Sequence, residues 1–168
     1  MFKETIIQFN RVLGNLDLIL EKAQAFADSK KFDSGNFASQ RISPDMFPLN
    51  RQIQIACDVA KASAAAISGV EAPKHADTEK TIPELRERIG KVRTFLGSIP
   101  ENRYNDVDPN KKISIPFPPG KFMILHEAIV TRSVPNFYFH VSMTYAILRQ
   151  GGVEIGKNDY LGSLNILD

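Results

Sequence analysis

Cysteine is nearly absent from this sequence. Cys57 stands alone among 168 residues, which excludes an intramolecular disulfide and fits a reducing, cytoplasmic setting. Long apolar runs are absent too. None approaches the roughly 18 residues that a membrane span requires, and the opening "MFKETIIQFN" mixes charge with apolar residues instead of forming a signal-peptide core. Charge of one sign is scarce. The formal net charge is +2, and the densest basic runs are only Lys30-Lys31 and Lys111-Lys112. Neither nucleic acid nor an anionic membrane is therefore an expected partner. The chain has no phosphate-cradling glycine loop, no nucleophile elbow, no HExxH and no CxxC. Internal repeats and low-complexity tracts are missing, and no linker is long enough to split domains, so residues 1–168 read as one domain.

What is present is helical periodicity. Phe2, Ile6, Phe9, Leu13, Leu16, Leu20, Ala23 and Ala27 recur at steps of three and four, and Val12, Ile19 and Phe26 widen the stripe. Gly14 interrupts it at a cost of about 1 kcal/mol relative to alanine. "KKFDSGNFASQRISPD" then reads as a loop. A second helix is expected over 46–68, with Asp45 as N-cap and Pro48 in its first turn. Its inner stripe is Ile53, Ala56, Cys57, Ala60, Ala64 and Ile67, mostly small side chains that allow close helix approach. Cys57 has only Lys61 as a cation within a turn, and that long stem would carry its charge outward, so the thiol should stay protonated. Thr81, Pro83 and Glu84 open a third helix with a capping box, and Ile82, Leu85, Ile89, Val92 and Leu96 mark its inner face. "KISIPFPPGKFMIL" predicts a small β-hairpin, which is marginal alone and must rest on the helices. Pro135 opens and Gly151-Gly152 closes the last helix. The tail from Val153 should lie extended on the surface. There Arg149, Lys157, Asp159 and Tyr160 could bind an anion, but pinning the tail to the bundle is favoured. The fold class is thus all-α: a four-helix bundle with a small β-hairpin before the last helix.

The three histidines are His75, His126 and His140. A zinc site needs three or four ligands converging at about 2.0–2.3 Å. Four residues before His140, on the same helix face, stands Asn136, a poor metal ligand but a good hydrogen-bonding partner.

"SPDMFPLNRQIQIACDVAKASAAAISGVEAPKHADTE" and "PNFYFHVSMTYAILRQGGVEIGKNDYLG", with the order of elements between them, resemble an uncharacterised bacterial domain family. The specific phrases are "DMFPL", "PNFYFH", "YAILR" and "GKNDYLG". That family is placed with the DinB/YfiT-like four-helix bundles. The resemblance implies that fold, frequent pairing into homodimers and, in many members of the wider group, a divalent ion such as zinc or nickel held by three histidines. Some members are thiol-dependent transferases. Aligned on "YAILR", the two histidines of the last helix fall on Asn136 and His140. The third ligand falls near Ile53 to Ile55, where Gln52 and Gln54 are the nearest polar groups. One ligand in three remains, so no cofactor is expected, and His140 is the sole residue that would still speak for a metal.

The functional expectation is a cytoplasmic small-molecule-binding protein with a polar pocket in the bundle. Its candidate residues are Asp45, Gln54, Asn136, Tyr138, His140 and Tyr145. His140 is the best catalytic candidate, as a general base titrating near neutrality beside a carboxylate. Asn136 would orient it, and Gln54 would face it from the second helix. Two alternatives stand beside this one: a non-catalytic homodimeric structural or stress-related protein, and a metal-dependent thiol transferase.

Overall fold

The first apolar stripe forms one long helix, α1 (Phe2–Lys30), whose buried side chains run from Ile6 to Ala27. It stops where Lys31 turns left-handed at φ 60° and the Lys31 and Phe32 amides close on the Ala27 carbonyl. Gly14 has a packing reason. An added Cβ would come within 3.0 Å of the Arg93 guanidinium, which lies across α1 and donates to Asn10 Oδ1 at 3.2 Å. The computed structural model describes residues 1–115 and 118–167.

Within the expected 30–45 loop lies a short helix, α2 (Gly35–Ala38), which exists to bury Phe37. Phe37 also explains the glycine pair after the last helix, because a Cβ on Gly151 would meet its ring at 2.7 Å. α3 (Leu49–Ser68) starts three residues later than its pattern suggested, with Pro48 as N-cap. Asp45 does not cap it. It is exposed and accepts from Ser43 Oγ at 2.6 Å. Every residue of the small-side-chain stripe, from Ile53 to Ile67, is buried, and Gly69 at φ 72° ends the helix. α4 (Ile82–Ser98) begins with the expected capping box. Thr81 Oγ1 accepts from the Glu84 amide, and Glu84 accepts from the Thr81 amide at 3.0 Å. A 3₁₀ turn, Glu101–Tyr104, follows Pro100.

The hairpin is present as β1 (Lys112–Ile115) and β2 (Lys121–Ile124), antiparallel, with Ile113 opposite Met123 and Ile115 opposite Lys121. Pro116 and Phe117, which complete the predicted first strand, lie outside the described residues. Alternation works as a strand requires: Ile113 and Ile115 turn inward, Ser114 outward. The Lys111 carbonyl and the Lys111 ammonium then tie the hairpin to Leu125 and to α3, through Leu125 N at 2.8 Å and the Ala66 carbonyl at 3.2 Å.

The last helix begins ten residues before Pro135. α5 (Leu125–Glu127) runs into a π-helical turn, Ala128–Ser133, and that turn runs into α6 (Val134–Gln150). Proline inside a helix lacks an N–H and crowds the carbonyl one turn back. The wide turn directly before Pro135 relieves that conflict, so proline here follows a bulge and does not start the helix. The tail carries a further short helix, α7 (Lys157–Leu161), where an extended segment on the surface was expected. Asp159 accepts from the Gly156 amide at its start and pairs with Lys22 at 2.6 Å, while Arg11 and Asn15 donate to tail carbonyls. The polar residues of the tail therefore fasten it to α1.

α3 packs mainly on α6 and α4, and α1 on α4, so the four long helical segments enclose one core. Phe9 and Phe137, with ring centroids 4.2 Å apart, join α1 to α6 within it. Among the described residues, no helix is long and apolar enough to cross a membrane.

Candidate functional site

His140 points into the bundle and is 6% exposed. Its partner is Gln52 on α3, with Nδ1 of the ring 2.6 Å from Gln52 Oε1. The amide of Gln52 is itself fixed, because its NH₂ donates to the Phe47 carbonyl at 2.9 Å. The oxygen must therefore face the ring, and the ring must carry its proton on Nδ1. No carboxylate accompanies it. Burial first, and the Arg51 charge second, push its pKa down to about 4. Desolvation thus holds His140 neutral and below the near-neutral range expected of a general base.

Gln54 does not face His140. Its NH₂ donates to Glu79 Oε2 at 2.9 Å, and its oxygen accepts from Arg51 at 3.3 Å. Tyr145 donates to the Ile155 carbonyl at 3.4 Å, and Tyr138 packs edge-on against Phe137. Asp45 is out in solvent. The six expected pocket residues are therefore distributed over separate contacts, because consecutive even positions on a helix, such as 52 and 54, leave it about 200° apart.

Gln54 belongs to a network that sequence reasoning missed. Arg88 on α4 is 2% exposed and binds Asp58 at 2.7 Å, Asp77 at 3.0 Å, Glu79 at 3.0 Å and the Ala76 carbonyl at 3.1 Å. Burial would raise Glu79, but its backbone hydrogen bond and the Arg88 and Gln54 donors outweigh this and hold it below the usual range. The network ties the 69–80 linker to α3 and α4. A signal for it was available: Arg88 stands three after Leu85 and four before Val92, inside the apolar stripe of α4. Lys61 also stays in. Its ammonium lies 2.9 Å from Asp58 and 3.1 Å from His75 Nδ1, so it donates to a neutral His75, whose pKa is lowered by burial and then by that same charge. Cys57 beneath is fully buried, and desolvation pushes its thiol up to about 12.

Above this network is a groove of about 780 Å³, within the range of about 300–1,000 Å³ usual for small-molecule sites. α3 forms its floor, the 69–80 linker one wall, and β1 with the π-helical turn the other. Ile55, Val59, Ala66, Ile113, Ile115 and Ile129 make it largely aliphatic. Asn136 lies at its edge, whereas His140, one turn further along α6, does not line it. Ser63 does, at 3% exposure and with no hydrogen-bond partner for its hydroxyl among the described residues. From the π-helical turn come Arg132 and Ser133.

Residues 1–161 match a family described as Domain of unknown function (DUF1993). The chain belongs to the DUF1993 family. This DUF1993 domain is similar to a crystal structure of a DinB family member protein from Shewanella denitrificans. The two are 41% identical with a TM-score of 0.91, over 99% of this chain and 94% of that one. No curated protein matches it. Its DinB-like fold, with the small hairpin, is as the sequence resemblance implied.

The three-histidine pattern of the wider group fits poorly here. Of the matching positions only His140 is an imidazole; its contact is the amide of Gln52, while Gln54 turns to Glu79 and Asn136 to the groove, so no second strong ligand stands beside it. His75 is engaged by Lys61 and His126 is exposed. Among the described residues, no three His, Cys, Asp or Glu side chains are grouped to hold an ion.

Proposed function

We propose that this DUF1993 protein binds a small organic molecule in the groove between α3, the 69–80 linker, β1 and the π-helical turn. The observation that carries this reading is the combination of aliphatic walls with polar groups, one of them left unmet. Among the described residues Ser63 Oγ is buried without a partner, and the half-buried Arg132, Ser133 and Asn136 line the same groove. Buried polar groups are rarely left unpaired unless water or a ligand completes them. The alternative of a purely structural dimer has less support, because the apolar stripes are covered within one chain. Metal-dependent thiol transfer has less as well, given a donor set of amides.

The test uses N-phenyl-1-naphthylamine, a neutral fluorophore that brightens in apolar sites. The protein should take it up saturably, and Ala62→Trp, an exposed position on the groove lining, should block it while leaving the thermal unfolding profile intact. Uptake that is absent, or indifferent to Ala62→Trp, would refute the reading.

A further inference from the structure

Charge accounting in the groove leaves a residue of positive sign. Asp58 is matched by Lys61 and Arg88, and Asp77 by Arg51 and Arg88. Two lining cations, Lys74 and Arg132, form no ion pair among the described residues. Lys74 is on the exposed rim, whereas Arg132 is half-buried on the π-helical turn, flanked in the lining by Ser133 and Asn136. A guanidinium in a fixed fork matches a carboxylate with two parallel hydrogen bonds. The walls around it are branched aliphatic, and the one aromatic ring in the described lining, the His75 imidazole, is engaged by Lys61. A flat ring would find only that imidazole to stack on, whereas a flexible hydrocarbon would find aliphatic contact along the groove. Wide π-type turns recur where a helix must present side chains to a ligand, and here that turn supplies the unpaired cation.

Building on the reading of the groove as a ligand site, we propose that its ligand is an aliphatic carboxylate. The chain would lie along Ile55, Val59, Ile113 and Ile129, and the carboxylate would sit on Arg132. Ser133 and Asn136 supply donors beside the head group.

The experiment displaces N-phenyl-1-naphthylamine with octanoate and with octanamide, its neutral counterpart, at one ionic strength. Octanoate should compete about tenfold better with the wild type, the scale of a charge-assisted pair. Arg132→Gln should bring the two competitors together, and Arg132→Lys should keep part of the preference. Arg132 has no ion-pair partner among the described residues, and circular dichroism checks that its replacement leaves the fold in place. Equal competition in the wild type, or a preference that survives Arg132→Gln, would sink the carboxylate assignment while leaving the groove a ligand site. Failure of the fluorophore itself to enter would remove both.

Discussion

Gln52 accepts the Nδ1 proton of His140 at 2.6 Å, across the seam between α3 and α6. The contact joins two helices through polar atoms in an otherwise apolar interior, and it fixes both the amide orientation and the tautomer. Gln52→Leu would leave the Nδ1–H without an acceptor and should cost about 1–3 kcal/mol in urea unfolding. Gln52→Glu should act in the other direction on the ring, raising the His140 pKa well above about 4. Imidazole proton shifts followed by NMR would report this, and an unmoved titration would contradict the assigned contact.

Stability should fall as the solution is acidified through the histidine range. The folded state holds His140 at about 4 against an ordinary 6.5. Between those values the unfolded chain binds the proton and the native one does not. The contribution is thus complete above pH 6.5 and is lost as pH falls toward 4, on the order of 3 kcal/mol in total. His75, also lowered, adds in the same direction, and Glu79 extends the loss below its ordinary 4.5. Urea midpoints from pH 8 to 4.5 check the sign. His140→Gln should flatten the upper part of the curve.

Removing Arg88 should be among the most damaging single changes. Arg88→Met leaves Asp58, Asp77 and Glu79 facing one another without their shared cation, at a cost of about 3 kcal/mol or more. Arg88→Lys should recover only part, since one ammonium cannot reach every partner of the fork. Thermal unfolding measures both variants. Faster hydrogen exchange confined to residues 69–80 would locate the effect in the linker.

Metal analysis gives an independent check. Protein purified without a histidine tag should carry well under one equivalent of zinc or nickel by elemental analysis, because amides stand where imidazoles would be needed. Stoichiometric metal that disappears in His140→Ala would overturn that expectation.

The helices were readable because their stripes follow a 3.6-residue period over long stretches. Ile53 to Ile67 and Ile82 to Leu96 are buried where the pattern put them. The capping box at Thr81 and the hairpin were local signals of the same strength. What escaped was three-dimensional. Asp45 has the chemistry of an N-cap but sits three residues before the N-cap position, which Pro48 holds. Gln54 and Gln52 differ by two positions and therefore by the side of the helix they serve. Arg88 was hidden by its own charge, since an arginine on an apolar stripe is readily taken as an edge residue. The groove depends on how the linker and hairpin lie across α3, which no local pattern encodes.

The π-helical turn has a consequence for how this chain can change length. A wide ring holds one residue more than an α-turn needs for nearly the same advance. A deletion between 128 and 133 would let the ring close to ordinary size with both flanks still aimed as before, at the cost of setting Pro135 against the carbonyl one turn back. A deletion between Phe137 and Leu148 would instead swing half the helix by about 100° and carry Val141 and Ile147 away from the interior. A change of length in the last helix would thus keep its inward face at that turn alone, and the turn borders the groove.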